Sequence, residues 1–594
     1  MRILGLSSFG HDTSAALLDD GMIRAVIEES KLSRQKNARG LPAAAMKFCL
    51  SKAGAGWESV DCVALTATPM RGWMRRSAAG ARISPLDPIA AGHAQVREVG
   101  RLARELGYLR LLRHQTGGKK KITNVEHHLS HAASAFFLSP YERALVITMD
   151  EDGDGRSGMI AIGEGTRLRK LRDIPYPHSL AWLYSRITEL LGFVPHADEH
   201  KTQWMSLGGE PEYREVFRDM LRDSRGGSLR LDYSYLDHGV GDRFVLSSKF
   251  RQKAGLPENR LPENSAELTD EQRRALAASV QQACAERVGE MIESLRREHN
   301  IHDVCLGGGL FNNSLLVSSL EQNVGLDHVF VPPAPGNSGT ALGAALYVQH
   351  HEQQMPRKTH LSNSYWGPGY SRHEIKDVLD NCKAKFSFQV MRDRQMDQAV
   401  HLLLGGKIIG WFQGPAEFGP RALGNRSVLA SPWAPYVKEN LNDFIKHREW
   451  FRPFAVSVPV EDAPRYFECS SLCESMNSLA RVRPGVEGLP EGFVLPGGLV
   501  RLHTVSKEAN PALWDLLKRF GLQASAPMLI NTSFNLFGEP LVVSPLDAIR
   551  SYACSGIDAL LMDNFLLTKV PMASTVVPSR ETKTSTSGLS RITA

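Results

Sequence analysis

The stretch that decides the fold is RILGLSSFGHDTSAALLDDGMIRAVIEE, residues 2–29. Short apolar runs of high β propensity alternate in it with a turn-forming loop, FGHDTS, and with an Asp-Gly turn, which predicts three strands. The same order recurs in ALVITMDEDGDGRSGMIAIGEGTRLRKL, residues 144–171, with an acidic Gly/Asp loop after the first run. Two copies of this pattern predict a duplicated α/β domain whose facing loops frame a nucleotide cleft.

A long helix and a second kind of glycine loop follow the repeat. Thr269 opens the helix with Gln272 as its capping-box partner, and apolar residues then recur at helical spacing. The helix leads into DVCLGGGLFNN, residues 303–313, where a strand runs into glycines that let backbone N–H groups approach a phosphate or ribose. A tight strand-to-helix turn needs glycine anyway, so the loop alone is weak evidence. Its candidate binding residues are Gly307, Gly308, Gly309 and Asn312.

The chain is too long for one hydrophobic core, so we expect more than one domain in its 594 residues. Periodicity fades and polarity rises over residues 351–365, which predicts a linker. Beyond it the second half has core strands of its own, and the last residues are rich in Ser and Thr. We therefore expect domains at residues 1–355 and 356–572 and a disordered tail at residues 573–594.

Composition narrows the class of protein. No apolar run reaches the ~18 residues that cross a bilayer, and the N-terminus lacks the apolar region of a signal peptide. These two observations predict no membrane partner. The eight cysteines include no CxxC pair with zinc spacing, which favours reduced thiols in a cytoplasmic protein. Residues 71–121 are rich in Arg and Lys. A solvated surface or an anionic small substrate explains them better than nucleic-acid binding does. A homodimer is compatible with the sequence.

A histidine-rich helix start, VEHHLSHAASAFF at residues 125–137, is the first candidate site. His127 and His131 are four residues apart, so they share one helix face and can share a metal, whereas His128 points elsewhere. A solvated or capping pair is as good an explanation of HxxxH on its own. Asp150 ends a very apolar strand, where a carboxylate suits a cation better than a core. Mixed imidazole and carboxylate ligands suit Fe, Mn or Zn.

Cations in the second half form the other candidate site. They lie in GPAEFGPRALGNRS, IKHREWFRPFA, LVRLHTV and INTSFNLFGEP, flanked by Gly, Pro and apolar residues, which is unusual for a solvated face. Arginine forks on phosphate oxygens, with amides and hydroxyls beside them, are typical of a site for phosphorylated anions. The candidates are Arg421, Arg426, Lys446, Arg448, Arg452, Arg501, Asn531, Ser533 and Asn535.

Nine stretches together resemble the NodU/CmcH/TobZ family of O-carbamoyltransferases over residues 1–570. Besides those quoted above they include EHKTQWMS at residues 199–206 and PPAPGNSGTALGAAL at residues 332–346. The resemblance implies an actin/sugar-kinase-like first domain, similar to the tRNA threonylcarbamoyl-adenosine transferase, and a YrdC-like second domain. It also implies that carbamoyl phosphate and ATP, the latter with Mg²⁺, give carbamoyl-adenylate in the second domain. The first domain then transfers the carbamoyl group to a hydroxylated small-molecule acceptor, as in antibiotic and other secondary-metabolite biosynthesis.

The resemblance also implies roles for individual residues. Lys446, Arg452, Arg421, Arg501, Asn531 and Ser533 would form the adenylating site, which we expect in the second half alone. His11, Lys36 and Gly307 to Gly309 would belong to the transfer site, with His127, His131 and Asp150 at its iron (Fe²⁺). The family pattern commonly has Asp, a further metal ligand, where this chain has Asn337. A neutral amide attracts a cation less, so metal affinity is expected to be lower here.

Two other functions fit parts of the sequence. A tRNA threonylcarbamoyl-type modifying enzyme would use the basic stretch at residues 71–121, but the fused second half argues against it. A non-catalytic nucleotide-binding regulator of the same fold is supported by Asn337 alone. Pyrophosphate release that depends on carbamoyl phosphate separates the carbamoyltransferase from both.

Overall fold

A computed structural model gives the fold of the chain. It describes residues 1–8, 10–54, 56–83, 88–224, 228–238, 244–257, 268–325, 327–357, 361, 363–383, 386–392 and 394–569. The expected tail at residues 573–594 lies outside the described residues. Of the linker expected at residues 351–365, the first two residues end a helix, Tyr347–Glu352, and the other described residues form no helix or strand.

The first half contains two five-stranded sheets of the same topology. The first has the order β3-β2-β1-β4-β5 and the second the order β8-β7-β6-β13-β14. In each, three consecutive strands pair antiparallel and two later strands add in parallel. The predicted duplication is thus confirmed. The strands of this half are β1 (Arg2–Ser7), β2 (Ser14–Asp19), β3 (Met22–Glu28), β4 (Cys62–Thr66), β5 (Lys121–Val125), β6 (Arg143–Gly153), β7 (Arg156–Glu164), β8 (Arg167–Pro175), β9 (Leu221–Ser224), β10 (Ser228–Leu231), β11 (Leu236–His238), β12 (Phe244–Leu246), β13 (Val304–Gly307) and β14 (Val329–Phe330).

Helices connect and cover these sheets. They are α1 (Glu29–Ser33), α2 (Ala43–Lys52), α3 (Pro69–Ile83), α4 (Pro88–Gln115), α5 (His127–Phe137), α6 (Leu180–Leu190), α7 (Glu199–Met205), α8 (Arg214–Met220), α9 (Ser248–Lys253), α10 (Asp270–His299), α11 (Ser314–Val324) and α12 (Thr340–Leu346). The capping box that opens α10 is formed by Thr269 and Gln272, as predicted. Buried side chains of α5 and α12 share one apolar core with residues of both sheets, so α5 lies between them.

The second half has its own α/β core. Its main sheet has eight strands in the order β15-β26-β25-β16-β17-β24-β18-β23, and a small sheet has the order β19-β20-β22-β21. The strands are β15 (Phe386–Val390), β16 (Ile409–Phe412), β17 (Arg426–Ala430), β18 (Ala455–Pro459), β19 (Phe467–Glu468), β20 (Ala480–Val482), β21 (Val494–Leu495), β22 (Leu499–Val500), β23 (Leu502–Val505), β24 (Leu529–Ser533), β25 (Ala559–Met562) and β26 (Phe565–Lys569). The helices are α13 (Arg372–Asn381), α14 (Gln395–Leu404), α15 (Val437–Leu441), α16 (Pro511–Gly521) and α17 (Pro545–Ala553).

Hydrogen bonds made by a buried ion pair of the first half connect it to the second half. Lys31, in α1, lies 3.0 Å from the Glu28 carboxylate and donates hydrogen bonds to the carbonyl oxygens of Glu417 (2.8 Å) and Gly419 (2.9 Å). The other Glu28 oxygen accepts a hydrogen bond from the backbone N–H of Gly419 at 2.8 Å. A lysine and a carboxylate are this deeply buried only when paired and hydrogen-bonded, so the loop at residues 417–419 is fixed to the first half.

Candidate functional site

Three predicted metal ligands converge where α5 meets the end of β6. His131 Nε2 lies 3.0 Å from His127 Nε2 and 3.2 Å from Asp150 Oδ2, and His127 Nε2 lies 3.5 Å from the same oxygen. One ligand atom from each residue falls within 4.8 Å of the others. Burial alone would raise the pKa of Asp150, but hydrogen bonds from the two histidines hold that pKa well below its usual range. An ionised carboxylate and two imidazoles at this spacing suit a divalent transition metal.

Two residues near these predicted ligands, His128 and Asp154, make hydrogen bonds to other parts of the first half. His128 is buried against Thr148 and the carbonyl of Arg156, so it faces away from the cluster, as predicted. Asp154 accepts hydrogen bonds from the backbone N–H groups of Thr68 and His127. A carboxylate at this place fixes the start of α5 and thereby the position of His127.

Glycines of the loop after β13 allow it to approach Asp150. Gly308 has φ 102°, donates its N–H to the carbonyl of Pro335 at 2.7 Å, and leaves no room for a Cβ, which would lie 2.0 Å from the Met149 oxygen. A Cβ on Gly309 would lie 3.1 Å from Asp150 Oδ1. These glycines therefore allow the backbone to approach Asp150 of the His127–His131–Asp150 cluster closely. Gly309 also faces the cavity described next.

A cavity between the two halves has two adjoining lobes. The larger lobe has a volume of about 440 Å³ and the smaller lobe about 340 Å³. They share lining residues, among them His11, Asp150, Gly309, Arg421 and Ser533. A groove of about 880 Å³ runs along α10, but no predicted site residue lines it. Asp150 of the first candidate site and the arginines of the second thus line one cavity, whereas His127 and His131 line neither lobe.

Four arginines crowd the larger lobe. Burial and the neighbouring Arg452 lower the pKa of Arg421 to about 10 and that of Arg448 to about 9. Burial, followed by the charges of the other three arginines, also lowers the pKa of Arg501. The one carboxylate paired with this group among the described residues is Glu449, 3.5 Å from Arg452. Cations that raise each other's energy in a concave site are typical of an anion-binding site.

Two predicted cations hold loops instead of lining the cavity. The Arg426 guanidinium is buried and donates to the carbonyls of Gln413, Asn425, Pro368 and Gly414. The buried Lys446 ammonium donates to Asn535 Oδ1 (2.8 Å), Asn535 O (3.2 Å) and Ser533 Oγ (3.2 Å) and to the carbonyl of Ser533.

The other predicted residues of the second-half site face one or both lobes. Arg421, Arg448, Arg452, Arg501, Asn531 and Ser533 line the larger lobe, and Arg421, Ser533 and Asn535 line the smaller one.

His11 lies where the two lobes meet. Its Nδ1 is 2.9 Å from Asp12 Oδ2, and its Nε2 is 3.3 Å from Asn337 Nδ2. Burial lowers the pKa of His11, but Asp12 outweighs it and the net pKa is raised. Asn337 Oδ1 is buried without a hydrogen-bond partner among the described residues. Asn337, Lys36 and Asn312 line the smaller lobe, and Asn312 lines the larger lobe too.

Sequence reasoning missed several residues of this cavity. Asp12, the partner of His11, lines both lobes, and the pair His196–Glu151, 3.0 Å apart, lines the larger lobe. His200 and Trp204 of α7 also line the larger lobe. They belong to EHKTQWMS, which the family resemblance identified as a motif. The spacing of polar and apolar residues in this stretch does not indicate which side chains face a cavity.

No described helix combines the length and apolarity that a membrane span requires.

Comparisons with known proteins place both halves of the chain among related sequences. Residues 2–346 match the family model for the carbamoyltransferase N-terminus and residues 400–569 the model for the carbamoyltransferase C-terminus. Among curated relatives, nodulation protein NolNO of Sinorhizobium fredii is 33% identical over 95% of this chain and 80% of its own length. The 3'-hydroxymethylcephem-O-carbamoyltransferase of Amycolatopsis lactamdurans is 32% identical over 39% of this chain and 42% of its own length.

Among solved structures, full-length HypF in its phosphate- and nucleotide-bound form is similar with a TM-score of 0.30 and 13% identity. The similarity covers 60% of this chain and 47% of that one. The two family models together span most of this chain, and they match the halves that enclose the cavity. The chain therefore belongs to the carbamoyltransferase family and is a carbamoyltransferase enzyme.

Proposed function

We propose that this enzyme is an ATP-dependent O-carbamoyltransferase. It would convert carbamoyl phosphate and ATP to carbamoyl-adenylate and transfer the carbamoyl group to a hydroxyl of a small natural product. The observation that carries the proposal is the single cavity with an arginine cluster in one lobe and His11 and Asp150 where the lobes meet. The relative named as an O-carbamoyltransferase of a hydroxymethyl compound supports a hydroxyl acceptor.

The adenylating step suits the larger lobe. Hydrolysis of carbamoyl phosphate gives carbamate and phosphate, and a carbamate oxygen then attacks the α-phosphorus of ATP and displaces pyrophosphate. Negative charge gathers on the phosphoryl oxygens in this step, and Arg421, Arg448, Arg452 and Arg501 are placed to stabilise it. Arg421 also donates to the carbonyl of Asn312 at 2.8 Å, so it is held against the first half at the junction of the lobes.

The transfer step suits the junction. The acceptor oxygen attacks the carbamoyl carbon, the C–O bond to the phosphate of AMP breaks, and the acceptor's proton goes to His11 Nε2. Asp12 fixes the ring because it accepts a hydrogen bond from Nδ1–H, so that Nε2, which faces the Asn337 amide, carries the lone pair that takes the proton. The adenylate is a reactive mixed anhydride, and its passage between adjoining lobes limits hydrolysis.

The residues present fit a metal beside this junction. His127, His131 and Asp150 would hold it. Asn337, whose Oδ1 has no hydrogen-bond partner among the described residues, lines the smaller lobe together with Asp150 and would be a further ligand. Bound Fe²⁺ or a similar ion would supply Lewis-acid stabilisation of a phosphate oxygen. Mg²⁺ would accompany ATP, as it does in most enzymes that bind triphosphates.

Domain limits at residues 1–355 and 356–572 and a YrdC-like second domain remain part of the proposal. The separate sheets of the two halves and the gap between the two family-model matches support the domain limits.

Two measurements test the proposal. The purified enzyme is expected to release pyrophosphate from ATP only when carbamoyl phosphate is present. With a panel of hydroxylated natural products, mass spectrometry is expected to find an acceptor that gains one HNCO unit. Pyrophosphate release that is independent of carbamoyl phosphate, or none at all, would reject the adenylating chemistry. Transfer of a threonylcarbamoyl group to tRNA, in place of a carbamoyl group to a small molecule, would reject the acceptor class.

A further inference from the structure

Helix α7 of the first half packs against the arginines of the second half. Lys201 lies 2.7 Å from a Glu449 oxygen, and Glu449 in turn pairs with Arg452. One turn further on, the buried Trp204 ring lies 5.7 Å from the Arg501 guanidinium carbon. Through these two contacts the first half reaches the arginine cluster directly, so the wall of the larger lobe comes from both halves.

His200 directly precedes Lys201 in α7 and lines the larger lobe. Its Nε2 is buried and has no hydrogen-bond partner among the described residues. Burial and then the charges of Arg452 and Arg421 hold the pKa of His200 well below its ordinary value. The ring is therefore neutral at physiological pH and offers one N–H donor.

The surroundings of His200 indicate what this donor binds. Arg421 Nε and Arg501 Nε, in the same lobe, are also buried without partners among the described residues. Several unpartnered donors around one cavity are typical of a site whose partner is a ligand with acceptor oxygens. A neutral imidazole adds a donor to such a site and no further repulsion to the arginines.

We propose that His200 is a phosphoryl-binding residue that the first half contributes to the anion site, where its N–H donates to a phosphoryl oxygen. The oxygen belongs to ATP or to carbamoyl phosphate, which share this chemistry. The inference rests on the proposed function for the identity of the ligand. It also means that the adenylating site is not built from the second half alone.

The test compares His200→Phe, which keeps the ring's shape, with His200→Gln, which keeps a neutral N–H donor. Loss of a hydrogen bond to a charged oxygen is expected to raise the KM of one substrate about 10- to 100-fold in His200→Phe. His200→Gln should recover most of this loss. His178 is a matched control, because it is a neutral histidine that stacks on Tyr233 and lines neither lobe. His178→Phe should leave both KM values unchanged.

The substrate whose KM rises identifies the source of the oxygen, ATP or carbamoyl phosphate. Unchanged KM values in His200→Phe, or a fall in kcat alone that His200→Gln does not correct, would overturn the inference. If His200→Phe does not fold, His200→Ala provides the same comparison.

Titration calorimetry with ATP and with inorganic phosphate, which stands in for the phosphoryl group of carbamoyl phosphate, separates this inference from the proposed function. If the wild-type enzyme shows no turnover that depends on carbamoyl phosphate, the proposed function is rejected. Weaker binding of either anion to His200→Phe would still support the role of His200, and equal binding of both anions would refute it.

Discussion

Arg501→Met should make the protein more stable and the enzyme less active. Among the described residues the Arg501 guanidinium forms no ion pair, and it shares the larger lobe with three other arginines. Removing a charge that burial and three neighbouring arginines disfavour should stabilise the fold, and replacing buried ionic groups by apolar side chains is often stabilising by about 1–4 kcal/mol. The lost contact with the Trp204 ring offsets about 0.5–2 kcal/mol of this. With the middle of each range, the net gain is about 1 kcal/mol.

The same substitution removes a donor from the anion site. A hydrogen bond to a charged oxygen contributes about 1.5–3 kcal/mol, so the KM for ATP or carbamoyl phosphate should rise at least about tenfold. Bound pyrophosphate should also stabilise the variant less than the wild type, because ligand stabilisation follows affinity. Stability and binding are thus expected to change in opposite directions.

Thermal unfolding with and without pyrophosphate, together with initial rates of pyrophosphate release, measures both effects. For a domain of this size a gain of 1 kcal/mol raises Tm by about 2–4 °C. Arg519→Met is the control, because Arg519 is a surface residue paired with Asp515 and Asp397 and its loss should not change KM. A lower Tm in Arg501→Met combined with unchanged KM would refute the reasoning, since Arg501 would then be a structural residue.

Three further predictions address the rest of the site. His127→Ala should still release pyrophosphate but carbamoylate no acceptor; normal transfer by this variant would make the histidines structural. Asn337→Asp should retain metal longer on dialysis against a weak chelator, because a carboxylate attracts a cation more strongly, and unchanged retention would place Asn337 outside the metal site. Burial holds the pKa of His503 at about 3. In the unfolded chain the pKa of His503 is about 6.5, so below that pH the unfolded chain binds a proton that the folded chain does not. The free energy of unfolding therefore falls as pH decreases from about 6.5 towards 3. Between pH 7 and pH 5 His503→Gln should therefore lose about 2 kcal/mol less stability than the wild type, and equal losses in thermal unfolding would contradict the assignment.

The fold of the first half could be predicted from sequence because its evidence is local. Each copy of the repeat has β-prone runs separated by turn residues, and the structure places strands at those runs. The pairing of the two histidines could be predicted for a similar reason, since helical spacing alone puts His127 and His131 on one face. The resemblance, and not the spacing, implied that these histidines lie beside Asp150. In the structure they do so because α5 packs against β6.

The functions of individual arginines could not be told apart in the same way. Arg421 lies in the loop before β17, and Arg426, five residues further on, begins that strand; their neighbours in sequence are similar. The loop is wound around the buried Glu417 carboxylate, which accepts backbone hydrogen bonds from Leu423, Asn425 and Arg426. This winding turns Arg426 towards carbonyl groups and Arg421 towards the cavity, and no periodic pattern encodes it. His200 was missed because its neighbours in space, the arginines, are more than 200 residues away in sequence.

The pairing of Lys31 and Glu28 with residues 417–419 has a consequence for biosynthesis. The Lys31 ammonium and the Gly419 carbonyl are 388 residues apart in the chain. At a ribosomal rate of about 5–20 residues per second, roughly 20 to 80 s pass between the synthesis of Lys31 and that of the groups that bury it. During that interval Lys31 and Glu28 lack these partners, and a chaperone could bind α1. Slower translation ahead of residue 417 would lengthen the exposure without changing the finished enzyme.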